Sequence, residues 1–513
     1  MIDGDDRPPI AVGVIVALVA VKLIAHFATN LFGPYEIHRD AFLYFAMGEH
    51  LSLWRMDFPP FIAMVAEVTR FTFGDSLFAL RLPPALMSTG LVVIAALAAR
   101  EMGGRRMAQG LAGLSVIASP LYLRSGNLFQ PVVIDQLWWT LALFFLVKLC
   151  RTDDHRWWIA FGIAMGFGLL TKFSVLVFGL GTLLALVATP PRRWLATPWP
   201  WIAGLIAFTI GSPSIVGQIA LDFPVRTYMA ELRGDQLSRQ LIAPFLLEQP
   251  MVLGGFVLAV IGVAAMGVGR TWKRYRLVAW SAIMTFGLFI LLRGKPYYVG
   301  PIYPVLFGAG AVMLDRIPFP RRRAAVQWGV AAYMVIYTAA VLPMGLPILA
   351  PATMERYLIA IGQQESAATT NIGNQERIPQ DYADMLNWEE QVAEVARVYH
   401  ALPSPDREQA VILTSNYGEA GAIDFYGPRY GLPKAVAYVG TYWFFGPGDL
   451  PGDILILHGY TEDDWNDFCE SKEAAGFVSH PFAVAEQRDL TIYVCRNPRM
   501  TLQELWPLRE GET

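Results

Sequence analysis

The sequence predicts a polytopic α-helical membrane protein that carries a soluble α/β domain at its C-terminal end. Of the 513 residues, 54% are hydrophobic and only 16% charged, where soluble domains carry about 25% charged residues. Long apolar runs recur through residues 1–349 and then stop. The charge divides at the same place: Met1–Leu349 holds 29 Lys+Arg against 18 Asp+Glu, and Pro351–Thr513 holds 11 against 25.

Crossing a bilayer takes about 20 apolar residues. Candidate spans cover roughly 10–29, 82–100, 107–124, 131–150, 157–171, 174–190, 198–216, 251–269, 277–293, 297–314 and 325–349, about 11 transmembrane helices in all. An odd number puts the two termini on opposite sides. The basic segments "AREMGGRR", "RTDDHR", "TPPRRW", "GRTWKRYR" and "FPRRR" follow every second span, and basic loops mark the cytoplasmic face. The N-terminus is therefore expected in the cytoplasm and residues 350–513 in the periplasm of a bacterial inner membrane. The first run follows an acidic "MIDGDDRPP" start without a small-residue cleavage site, so it reads as a retained span. The middles of the spans read as clean, which favours chemistry at the outer face over a transporter or lipid-linked-sugar flippase.

Within 350–513, "QAVILTSNYGEAGAIDFYG", "GDILILHGY" and "LTIYVCR" read as short buried strands separated by Gly/Asn turns. "NWEEQVAEVARVYHAL" has apolar residues at helical spacing. Cys469 and Cys495 could pair if this domain lies outside the cytoplasm, and the three cysteines form no metal spacing.

The functional signal is the outer loop 30–80, where "YEIHRDAFLYFAMGEHLSLWRMDFPP" packs eight ionisable residues between two spans. Glu36, Glu49 and His50 fit solvated helix faces. Asp40 sits where a helical pattern begins, as a cap or as an exposed base near the membrane surface. Asp57 precedes "FPP", whose prolines hold it in one place, as a catalytic or metal-binding group must be held. Asp135, Lys172, Arg293 and Lys295 fall on the same side. Carboxylates and cations on one outer face suit a departing anion and an attacking hydroxyl.

"IHRDAFLYFAMGEHLSLWRMDFPPF", "FGDSLFALRLPPAL", "GLLTKFSVLVF", "GKPYYVGPIYPVLFGAGAV" and "SNYGEAGAIDFYGPRYGLP" resemble the bacterial glycosyltransferase family 39 type. That family belongs to the GT-C superfamily and is related to the protein O-mannosyltransferases and the lipid A aminoarabinose transferases. The resemblance implies a GT-C type fold and an inverting transfer of one sugar from a polyprenyl-phosphate donor to a lipid, protein or polymer acceptor. It implies Asp40 as the catalytic carboxylate and Asp57 as a second carboxylate or metal ligand. Lys172, Lys295, Tyr298 and Arg55 are the implied contacts to the donor phosphate, with Asp135, His38 and Arg39 as further candidates. A divalent metal ion is the one candidate cofactor. No organic cofactor and no nucleic-acid partner are expected, and membrane lipids surround the spans. Two departures bear on the metal: the 217–250 loop has no histidine, and Phe58 stands where the aminoarabinose enzymes carry a lysine.

Overall fold

In the computed structural model, which describes residues 7–510, all eleven apolar runs are largely helical. The first six residues of the acidic start lie outside the described part. Among the described residues, seven helices are long and apolar enough to cross a membrane: Val12–Phe32, Leu77–Glu101, Pro131–Thr152, Trp199–Ala220, Lys273–Leu291, Pro296–Asp315 and Pro320–Gly345. Two bent pairs raise the number to nine: Val175–Ala188 with Pro190–Ala196, and Ile242–Val252 with Phe256–Val268. The structure thus supports seven to nine such elements rather than eleven. The two remaining runs are short because they are interrupted. Arg106–Ile117 stops before Pro120, which opens a separate helix, Pro120–Ser125, as expected of a residue that cannot continue the hydrogen-bond ladder behind it. Trp157–Thr171 ends at Lys172, whose backbone is extended.

The first span departs from the clean middle read from the sequence. Lys22, His26 and Asn30, spaced four apart, are all buried on one face of Val12–Phe32. Lys22 donates to the Tyr122 carbonyl at 3.1 Å, and Ser88 donates to the same oxygen. The stripe escaped notice because each of its polar residues is separated from the next by three others, so the run keeps a high mean hydropathy. Elsewhere the bundle packs as membrane helices do, on small residues and stacked rings. A Cβ at Gly310 would lie 1.9 Å from the Leu258 carbonyl oxygen, so only glycine permits that helix crossing. Trp139 lies between Phe178 and Phe289, at 5.0 and 6.1 Å.

The C-terminal part holds a five-stranded mixed sheet in the order β2-β1-β3-β5-β4. Its strands are β1 (Ala410–Thr414), β2 (Ala435–Val436), β3 (Ile454–His458), β4 (Cys469–Ser479) and β5 (Asp489–Pro498). β1 runs parallel to β2 and β3, while β5 is antiparallel to both β3 and β4. Trp388–Ala401 is the expected helix. Only the start of "QAVILTSNYGEAGAIDFYG" is a strand. Asn416 caps a helix, Tyr417–Tyr426, by accepting the N–H groups of Gly418 and Glu419, and the N-cap outweighs the turn reading of Asn and Gly. Cys469 and Cys495 form a disulfide. Its loss is expected to cost about 3 kcal/mol for a loop of this length, seen as a lower thermal midpoint under reductant.

The outer loop and this domain share one hydrophobic core. Phe42, fully buried, meets Trp388 at 5.5 Å and both Phe425 and Tyr426 at 5.8 Å. The residues read as solvated make the same junction. The Glu36 carboxylate accepts the backbone N–H groups of Trp388 and Glu389, capping the next helix. Glu49 pairs with Arg70 and Lys434, and His50 stacks on Phe445 at 4.1 Å. Phe42→Ala is expected to destabilise the protein by about 3–5 kcal/mol and to open the 350–513 region to limited proteolysis.

Candidate active site

Asp40 lies in the first turn of the Arg39–Glu49 helix, whose N-cap His38 accepts the Asp40 backbone N–H on Nδ1 at 3.1 Å. The carboxylate is held from two other elements. The Tyr417 hydroxyl donates to Oδ1 at 2.8 Å, and Gln130 Nε2 donates to Oδ2 at 2.8 Å. Gln130 occupies the N-cap position of Pro131–Thr152, and Tyr417 is the first residue of Tyr417–Tyr426. Burial pushes the Asp40 carboxyl up, but His38, Arg39, the Tyr417 hydroxyl and Lys295 outweigh it and hold the group below the ordinary carboxylate range. Asp40 is ionised at neutral pH. Burial and the Asp40 charge raise Tyr417 well above its ordinary value, so it stays a donor.

Arg39 is oriented by its neighbours. Its Nε lies 3.5 Å from an oxygen of the buried Asp384, and its guanidinium sits 5.8 Å over the Tyr417 ring. His38 Nε2 lies 4.0 Å from the other Asp384 oxygen. Arg39 and His38 thus belong to the frame around Asp40.

Lys295, buried just ahead of the Pro296–Ile302 turn, feels Asp40 and Lys172 together. Burial and the Lys172 charge bring it down to about 8, against the pull of Asp40 and Asp381. Lys172 ends the Trp157–Thr171 helix with its ammonium 4.2 Å over the Tyr298 ring and 5.6 Å over Tyr297. Asp135 is buried, accepts from the Ser174 hydroxyl at 2.9 Å and acts electrostatically on Lys172. The sequence candidates Asp40, His38 and Arg39 are thus grouped by direct contacts, as are Lys172, Tyr298 and Asp135 with Ser174, and Lys295 lies within the electrostatic reach of both groups.

Asp57 stands in a separate set of contacts. Thr441 donates to its Oδ2 at 2.7 Å, and Gln218 donates to its backbone carbonyl at 2.5 Å. Burial lifts its carboxyl to about 6, with Thr441 and backbone N–H groups working against the rise. Among the described residues no three His, Cys, Asp or Glu converge to hold a metal ion. Arg55 is exposed on the surface of the loop.

Sequence reasoning missed Gln130, Asp384 and Tyr417. A glutamine before a proline and an aspartate in a polar stretch carry no pattern of their own. Tyr417 was legible in principle, because Asn416 followed by Tyr and Gly is an N-cap, but the segment reads equally as strand and turn.

The chain resembles several known proteins. Residues 57–216 match the family described as dolichyl-phosphate-mannose-protein mannosyltransferase. An undecaprenyl phosphate-alpha-4-amino-4-deoxy-L-arabinose arabinosyl transferase of Pseudomonas fluorescens is 28% identical over 273 residues, 49% of this chain and 48% of that one. The match thus spans about half the length of that relative. ArnT from Cupriavidus metallidurans, solved bound to undecaprenyl phosphate, superposes with a TM-score of 0.60 at 17% identity over 94% of this chain and 98% of its own. The chain has the GT-C glycosyltransferase fold. Arabinofuranosyltransferase AftD from Mycobacteria is similar at a TM-score of 0.51 and 13% identity, over 94% of this chain and 40% of AftD. The GT-C resemblance read from the sequence is borne out at the level of the fold. The segment matched to the mannosyltransferase family begins at Asp57 and includes Gln130, Asp135 and Lys172, while Asp40 and Tyr417 lie outside it.

Proposed function

We propose that the protein is an inverting membrane glycosyltransferase that moves one sugar from a polyprenyl-phosphate donor to an acceptor on the outer face of a bacterial inner membrane. The observation that carries this reading is the ionised Asp40, held by the Tyr417 hydroxyl and Gln130 at 2.8 Å each, with the buried cation Lys295 within its electrostatic reach and Lys172 within that of Lys295. An ionised carboxylate with cations in its neighbourhood, one of them buried, suits a reaction in which a proton is taken up at one point and negative charge develops at another.

In that reaction the acceptor hydroxyl oxygen attacks the anomeric carbon from the side opposite the phosphate. A new C–O bond forms and the bond to the phosphate oxygen breaks, with its electron pair leaving on the phosphate. The hydroxyl proton passes to Asp40. Lys295 and Lys172 stabilise the leaving polyprenyl phosphate, and Tyr298 fixes Lys172 by its ring face. With an already ionised phosphate acceptor, Asp40 orients it instead. Phe61, Trp138 and Phe167 form an aromatic wall near the outer face, with Phe61 6.1 Å from Trp138 and Trp138 stacked on Phe167 at 4.9 Å. Such a wall suits isoprenoid units better than a polar acceptor.

Sidedness belongs to the same proposal. The N-terminus faces the cytoplasm and residues 350–513 the periplasm, supported by the basic loops after alternate runs and by the Cys469–Cys495 disulfide, which suits an oxidising compartment.

The test uses full-length protein in detergent with a panel of radiolabelled polyprenyl-phosphate sugars. Release of free polyprenyl phosphate supports the reading. Binding of every donor without turnover of any would instead favour the flippase. Turnover is expected to survive a chelator, because the groups invoked are all side chains of the protein. Chelator sensitivity would bring a divalent ion back to Asp57.

A further inference from the structure

The C-terminal domain does more than sit beside the proposed site. Two of its hydroxyls reach the two carboxylates that the outer loop contributes: Tyr417 bonds Asp40 at 2.8 Å and Thr441 bonds Asp57 at 2.7 Å. We propose that Tyr417 is a positioning residue for Asp40, so that the base is competent only when the C-terminal domain is docked on the outer loop. This deepens the transferase reading and rests on it.

The local sequence shows how the contact is built. Asn416 starts the Tyr417–Tyr426 helix, which fixes Tyr417 at its first position. Gly418 and Gly421, three residues apart, face the Arg39–Glu49 helix. A Cβ at Gly418 would lie 2.4 Å from Arg39 Cγ, and one at Gly421 would lie 2.6 Å from Phe42 Cβ and 2.9 Å from the Phe42 carbonyl carbon. At Gly421 the obstacle includes backbone, which cannot swing aside. The two glycines therefore allow the two helices to approach until the Tyr417 hydroxyl reaches Asp40. The same approach places the Arg39 guanidinium over the Tyr417 ring. Asp40 also lies in the first turn of its own helix, whose positive end favours the ionised form.

The other groups facing Asp40 come from every neighbouring element. His38, Arg39 and Tyr44 lie on or beside its own helix, Lys295 before the Pro296–Ile302 turn, Tyr228 on Val225–Asp235, and Asp384 just ahead of the Trp388–Ala401 helix. Of these, Lys295, His38 and Arg39 favour the ionised carboxylate with Tyr417, and Asp384 opposes it. Among the described residues, the donors to the carboxylate oxygens are Tyr417 and Gln130, and Gln130 comes from the membrane-spanning part. Tyr417 is thus the direct link from the C-terminal domain to the base.

Tyr417→Phe removes one oxygen and keeps the ring under Arg39. Two readouts are taken on the full chain. The first is the pH profile of kcat/KM for polyprenyl-phosphate release. The second needs no turnover: the pH dependence of carbodiimide labelling at Asp40, read by mass spectrometry, because the protonated carboxyl is the reactive form. Loss of the Tyr417 hydrogen bond to the ionised form is expected to raise the acidic limb of both profiles by about one pH unit and to lower kcat about tenfold. Tyr430→Phe, which removes a hydroxyl that faces Glu389 and not Asp40, is expected to leave both unchanged. Labelling and rate limbs that stay in place in Tyr417→Phe overturn the inference. If the wild type turns over no donor, the transferase reading fails, and the labelling limb alone still decides whether Tyr417 sets the state of Asp40. A shift in labelling seen equally in Tyr430→Phe would mean a general loosening of the domain and would also overturn it.

Discussion

Asp40→Asn is expected to lower turnover of the polyprenyl-phosphate sugar by about a hundred- to ten-thousandfold, the range a positioned general base contributes, with the fold intact. Asparagine has nearly the shape of aspartate, and its amide oxygen can still accept from Tyr417. The amide NH2 now meets Gln130 Nε2, which donates to Asp40 today at 2.8 Å, and a half-turn of the Gln130 amide restores that bond. What is lost is the charge and with it the capacity to take a proton. Donor binding, measured separately by retention of the labelled lipid, is expected to change little, because the phosphate is assigned to Lys172 and Lys295 on another part of the chain. A loss of binding as large as the loss of turnover would mean that Asp40 organises the cations and is not the base. Activity close to wild type would leave the transferase reading without its base.

The wild-type profile follows from the same group. A carboxyl held below its ordinary value in the fold is ionised at neutral pH, so the acidic limb of kcat/KM comes as pH falls through that lowered value. The sign is the same for stability. The folded protein prefers the ionised form more than the unfolded chain does, so Asp40 contributes stability above the ordinary carboxylate range and loses it in acid. Asp57 has the opposite sign. Its carboxyl is raised to about 6, so it is the group of the pair that titrates nearer neutrality, and the stability it contributes in acid is lost as pH rises from the ordinary carboxylate range through that value.

Much of this was readable from the chain alone, for physical reasons that differ by element. The apolar runs and alternating basic loops set the helices, because a bilayer leaves few other solutions for a backbone. Asp40 stood out as a carboxylate at the start of a helical pattern, where a helix N-terminus stabilises negative charge. The span count was less readable. A run such as 107–124 is apolar throughout, yet Pro120 divides it into two helices, and hydropathy does not register a break. The polar stripe on the first span was invisible for the converse reason: Lys22, His26 and Asn30 share a face without sharing a neighbourhood in sequence. The junction between the outer loop and the C-terminal domain was the least accessible. Glu36 looks like any solvated glutamate until Trp388, far along the chain, supplies the N–H group it accepts. Contacts of that separation leave no local period to detect, and Tyr417 reaches Asp40 across the same junction.

The second large effect concerns Lys295. Lys295→Met, which keeps the length of the side chain and removes its charge, is expected to lower kcat/KM on the order of a hundredfold, as loss of one buried donor to developing negative charge does elsewhere. The pH dependence makes this specific. Burial and the nearby Lys172 bring Lys295 to about 8 in the free protein, so its proton is lost as pH rises through that value. Wild-type kcat/KM is therefore expected to fall on the alkaline side with a midpoint near 8, because this ratio reports the free enzyme. Lys295→Met removes that limb and leaves a flat, low profile above neutrality. Lys295→Arg stays charged at every accessible pH, so it is expected to restore part of the rate and also to lose the limb. Bound polyprenyl phosphate places an anion against the ammonium and raises its pKa, so the limb in kcat lies above the limb in kcat/KM. An alkaline limb that persists unchanged in Lys295→Met would belong to another group, with Lys172 the next to replace. If both variants bind and turn over donor as wild type does, the phosphate does not lie against this pair of lysines.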